Sequence, residues 1–185
     1  MFFLNSFLRS RIDISKSSIT NNDNFMNVYL SNLLSNLVSG NVSEFERKVT
    51  FELPIEVFSC VENSIDSRFK FHVYKINGDH LLTMLGVFES YLDSKSKNKS
   101  LRQERIENTK SYYSLASGHL SRLPALHYKL QFSKSENIFD VLSNNLEDCV
   151  CCLEHMSRNY FNLYDIDPTN VFLQRQVHRG KLEFL

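Results

Sequence analysis

The stretch Arg68-Phe69-Lys70-Phe71-His72-Val73-Tyr74-Lys75-Ile76-Asn77-Gly78-Asp79-His80-Leu81-Leu82 decides the fold class, because it carries two opposed signals. Phe69, Phe71 and Val73 alternate with Lys70, His72 and Tyr74, which is the period of a strand, and Asn77-Gly78 is a hairpin-turn pair. Beyond the turn, however, Leu81, Leu82, Leu85, Phe88 and Leu92 recur at helical spacing, so no hairpin partner exists downstream. Upstream, only Val49-Thr50-Phe51-Glu52-Leu53 alternates. The expectation is an all-α bundle of five to six helices, with a minor two-stranded element near residues 49–53 and 68–76 as the alternative.

Upstream of this stretch, Phe25, Met26, Tyr29, Leu30, Leu33, Leu34 and Leu37 form the stripe of an amphipathic helix from Phe25 to Val38, which Asp23 or Asn24 can cap and Gly40 ends. Asn27, Asn32, Ser35 and Asn36 fall on its polar side. Pro54 suits the first position of a second helix, which continues through Ile55, Phe58, Val61 and Ile65. Downstream, Asp93 to Ser100 has no apolar residue and predicts a solvated linker. A helix over Leu101 to Ser117 then closes at Gly118, and Pro124 opens a short one through Leu130. From Ser135 to Phe161 an apolar face runs unbroken and predicts the spine of the fold.

The 185 residues suit one domain, with residues 165–185 as a docking C-terminal tail. Lys+Arg and Asp+Glu are equal at 21 each, which removes the basic footprint of a dedicated nucleic-acid binder. The basic segment around 95–105 (Lys95, Lys97, Lys99, Arg102, Arg105) is the one candidate for such contacts, and it is too small for many phosphates. No run approaches the roughly 18 apolar residues of a membrane span. The first eleven residues lack the basic start and cleavage site of a secretory signal. Cys60, Cys149, Cys151 and Cys152 have spacings unlike a disulfide framework, and predict reduced thiols in a cytoplasm.

The run Cys149-Val150-Cys151-Cys152-Leu153-Glu154-His155 suggests zinc, yet residues 149 and 151 point about 200° apart on a helix, so no metal and no cofactor is expected. With only five glycines and no phosphate loop, HExxH or GxSxG, the common nucleotide and hydrolase sites are not expected. Asp79 is placed to cap the helix that begins at Leu81. With His80 and the pair Tyr112-Tyr113 it forms the candidate ligand pocket, provided that the two segments meet.

Three stretches resemble a family of uncharacterised bacterial helical proteins of this length: Tyr29 to Leu34, the Gly78-Asp79 pair opening the run Leu81 to Leu92, and Ser111-Tyr112-Tyr113. The resemblance implies helix from Val73 onward and carries no activity. Function is expected to be binding, not enzymatic, through the tail residues Val171, Phe172, Leu173, Leu182 and Phe184 or through the acidic segment Glu136 to Asp167, with a homodimer or another protein as partner. The competing expectation is a small-molecule sensor or enzyme built on Asp79, His80, Tyr112 and Tyr113.

Overall fold

The computed structural model describes residues 21–39, 42–88, 99–130 and 137–161. The tail residues Val171, Phe172, Leu173, Leu182 and Phe184, and Lys95 and Lys97 of the basic segment, lie outside them. Eight helices make up the described chain: α1 (Asn21–Ser39), α2 (Glu44–Val49), α3 (Pro54–Glu62), α4 (Ser67–Val87), α5 (Lys99–Leu120), α6 (Pro124–Leu130), α7 (Ile138–Asn144) and α8 (Leu146–Met156). A π-helical turn, Ser157–Phe161, continues α8.

The all-α class holds, and the two-stranded alternative does not: residues 68–76 lie inside α4, and 49–53 span the end of α2 and its connection to α3. The alternation that mimicked a strand has a physical source. Helix α4 is the central element, contacting α2, α3, α5 and α8. Its buried residues include Phe71, Val73, Tyr74, Asn77, Gly78, Leu82 and Leu85. A helix buried on most of its sides loses the one-sided periodicity by which helices are recognised. Asp66 supplies the cap at its start, accepting from the Arg68 N–H at 2.8 Å.

The expected continuous helix over Ser135 to Phe161 is instead two helices broken at Asn145, where φ is −114° and ψ 27°. Asn137 caps the first of them, its side chain accepting from the Phe139 N–H at 2.9 Å while its own N–H donates to Asp140 at 3.1 Å. Gly118 does not close α5, which runs on to Leu120. Asn27, expected on the solvated side of α1, is fully buried because it shares the face of Leu30, Leu34 and Leu37. In α3 the buried positions are Val57 and Val61, which leaves Ile55, Phe58 and the following Ile65 exposed.

Close helix approach centres on two glycines. A Cβ on Gly78 would stand 2.9 Å from Tyr113 Cε1 of α5, and one on Gly86 would collide with the Leu153 side chain of α8. Small residues at these two crossings let α5 and α8 pack against the backbone of α4.

Candidate functional site

Asn77, Gly78 and Asp79 occupy consecutive positions in the middle of α4, and each meets a different neighbour. Asn77 is buried and clamps the α2–α3 connection: Nδ2 donates to the carbonyls of Val49 (2.7 Å) and Val73 (2.8 Å), and Oδ1 accepts from the Phe51 N–H (3.0 Å). Gly78 receives the Tyr113 ring. Asp79 is therefore not a helix cap, as its sequence setting suggested, because helix extends twelve residues before it, from Ser67 to Gly78.

Its carboxylate is the hub of a polar cluster. Tyr29 of α1 and Tyr113 of α5 both donate to Oδ1, at 2.6 and 2.9 Å, and Lys75, one turn earlier on α4, donates to Oδ2 at 2.6 Å. Lys75 Nζ also stands 5.7 Å from the centre of the Tyr29 ring, within cation–π range. Burial, reinforced by the adjacent Asp79 charge, drives the pKa of both phenols well above the usual value. Each phenol keeps its proton and donates it. For Lys75 burial acts against the charge, but Asp79 outweighs it and the ammonium pKa is raised.

Of the four candidate residues, the fold brings Tyr113 onto Asp79 and leaves Tyr112 apart. Adjacent residues on a helix point about 100° apart, and Tyr112 faces α3 and α4 instead, stacked on Tyr74 (6.2 Å between centroids, 27° between planes) and packed against Phe58. Burial, with Tyr74 beside it, pushes its pKa up to about 12. His80 is half-buried, and burial lowers its pKa against a smaller opposing effect of Glu52.

Lys75, Asp79 and His80 form one wall of a groove of about 480 Å³ between α1, α2, the α2–α3 connection and α4. Leu33, Leu37, Phe51 and Ile76 supply its apolar surface, and Glu46, Arg47 and Glu52 its remaining charges. Tyr29 and Tyr113 are not among the lining residues; they hold Asp79 from behind. Tyr29 and Lys75 are the two members that the sequence reading missed. The Lys75–Asp79 spacing of four, a standard helical ion pair, was the available signal for one of them.

Comparison of the chain with protein-family models, curated proteins and solved structures gives no match. The likeness of the Gly-Asp and Ser-Tyr stretches to a bacterial family thus carries no further weight, and the site stands on its geometry.

The other candidate regions resolve differently. Cys149 is buried with its thiol 3.2 Å from Met26 Sδ, Cys152 is buried, and Cys151 is exposed. Among the described residues no three His, Cys, Asp or Glu side chains group to hold a metal ion. No described helix is long and apolar enough to cross a membrane. Three acids of the α7–α8 segment have partners on α5: Arg102 donates to Glu154 at 2.7 Å, Lys110 to Glu147 at 2.8 Å, and Ser117 to Asp140.

Proposed function

We propose that the protein works by binding, and that the groove walled by Lys75, Asp79 and His80 takes a small amphipathic ligand with a charged head. The carrying observation is that a groove of about 480 Å³, within the usual range for small-molecule sites, is walled by a charge pair fixed in place from behind. Two phenols and a helical ion pair immobilise Asp79. Polar groups held in this way bind without losing further conformational freedom.

Recognition is favoured over acid–base turnover because the hub's proton-transfer capacity is already spent. Asp79 accepts at both oxygens and both phenols stay protonated. The acidic segment is a weaker interaction surface than its composition suggested, since Glu147 and Glu154 are paired within the bundle.

The test is a titration of the ¹⁵N-labelled protein with phenylbutyrate and, separately, phenylbutylamine, which share an apolar body and carry opposite heads. Amide shifts should cluster at Leu33, Leu37, Arg47, Phe51 and Lys75 to Thr83 for one of them, and should vanish in Ile76→Trp, which fills the groove. Shifts absent with both compounds, or unaltered by Ile76→Trp, would overturn the reading.

A further inference from the structure

The outer side of α3 is an apolar and acidic face that no other described element covers. Ile55, Phe58 and Glu62 succeed one another at intervals of three and four and so follow one side of the helix, and Ile65 lies just beyond its end. Ile55 is 67% exposed and Ile65 100%, with Leu53 at the helix start 57% exposed. Phe58 anchors the stripe, its ring packed on Tyr74 and Tyr112 while 41% of its surface stays open. From Glu52 to Asp66 the chain carries Glu52, Glu56, Glu62 and Asp66 and no Lys or Arg, a net charge of minus four. An apolar stripe on a helix whose only charges are Glu56 and Glu62 selects an occupant that is apolar and cationic.

The chain itself contains such a segment. Residues 168–185, outside the described residues, combine Val171, Phe172, Leu173 and Val177 with Arg175, Arg179 and Lys181, against the single acid Glu183. Reach is sufficient. Ser157 Oγ donates to the Val87 carbonyl at 2.9 Å, which ties the end of α8 to the last residue of α4. Helix α3 packs along α4, whose 21 residues span about 32 Å. The fourteen residues 162–175 can extend to about 46 Å, so even the full length of α4 is within range. Tethering raises the local concentration of the segment to the millimolar order, which favours its own chain over a second copy.

We propose that residues 168–185 dock in cis on the α3 face, with Phe172 and its apolar neighbours against Ile55 and Phe58, and Arg175, Arg179 and Lys181 facing Glu56 and Glu62.

The experiment uses the full chain with a benzophenone amino acid in place of the exposed Ile55, irradiated and mapped by peptide mass spectrometry. Adducts should fall in residues 168–185 and migrate as monomer. Glu62→Lys, an exposed change that circular dichroism should show to leave the fold intact, should lower their yield by about threefold. Adducts in a dimer band would transfer the face to a second copy and overturn docking in cis. Adducts confined to other segments, or a yield indifferent to Glu62→Lys, would overturn the pairing itself.

Discussion

Two sets of charged contacts join helices in this bundle, and their bond lengths are nearly the same. Around Asp79 the three donors lie at 2.6, 2.6 and 2.9 Å, and between α5 and α8 the two ion pairs close at 2.7 and 2.8 Å. Their surroundings differ. The Asp79 side chain is 12% exposed and Lys75 32%, whereas Glu147 is 68% exposed. Water competes freely for Glu147 and hardly at all for the Asp79 carboxylate, while Glu154, 17% exposed, lies close to Asp79 in this respect. Equal distances therefore represent unequal energies, because what a pair is worth depends on what its members lose when separated.

The comparison is broken most directly by Asp79→Ala. Removing the carboxylate strands two buried phenols and an ammonium that had shared it, and the loss of one partner of a buried charged cluster costs about 3 to 5 kcal/mol. The lower end applies, since Lys75 reaches the groove and recovers water there. A urea titration should show an unfolding free energy lower by about 3 kcal/mol at unchanged slope. A loss below about 1 kcal/mol would mean that the hub is as solvated as the surface pairs.

Alkali should single out the same hub. Tyr29 and Tyr113 have folded pKa values raised well above 10.0, first by burial and then by Asp79. Above pH 10 the unfolded chain releases these phenolic protons while the folded chain keeps them. The unfolded state then binds fewer protons and stability falls with rising pH. Lys75, whose folded pKa is also raised, acts in the same direction. Tyr113→Phe removes one of the two phenols, so the stability of that variant should decline less steeply between pH 10 and 11. An identical slope would exclude Tyr113 from the titration.

How much of this was legible in the sequence follows from burial. Helices exposed on one side were readable: α1 lies within a residue of its expected end, and α3 begins at its expected Pro54. Helix α4 is covered from several directions, so its apolar residues spread around the axis and imitated a strand. The same burial hid the site. Asn77-Gly78 resembled a turn because nothing in the sequence shows that Tyr113 of α5 needs the space of a missing Cβ. That Tyr112 and Tyr113 cannot both face Asp79 was, by contrast, readable from helical geometry. Tyr29 lay 50 residues from Asp79 on a stripe of leucines, and only tertiary packing gives it a partner.

Gly78→Ala sharpens the comparison at smaller scale. Alanine in a helix interior normally gains about 0.5 to 1 kcal/mol over glycine. Here its Cβ would meet Tyr113 Cε1 at 2.9 Å and Cδ1 at 3.1 Å, on a ring whose hydroxyl is pinned to Asp79. Overpacking of about 1 to 3 kcal/mol exceeds the gain, and the net change should be a loss of about 1 kcal/mol. Gly118, with nothing within 4 Å of its Cβ position, is the control: Gly118→Ala should stabilise by about 0.5 to 1 kcal/mol. If both glycines respond alike in thermal melts, the Tyr113 ring is free to move and the hub is less rigid than its hydrogen bonds imply.

The smallest effect belongs to the surface pairs, and it tests the other side of the contrast. The hydrogen bond between Lys110 and Glu147 is the chief cause that raises the pKa of Lys110 and lowers that of Glu147. Both shifts arise on groups that solvent reaches, where salt screens the attraction and holding two long side chains together costs entropy. Glu147→Gln should therefore leave the thermal midpoint unchanged in physiological salt. Glu154→Gln should lower it slightly, because Glu154 is only 17% exposed and loses its ion pair with Arg102 of α5. Both effects should grow when the salt is diluted, since a longer screening length restores the attraction. A Glu147→Gln protein that melts as early as Asp79→Ala would show that exposure does not rank these contacts, and would remove the basis for treating the Asp79 hub as the fixed wall of a binding groove.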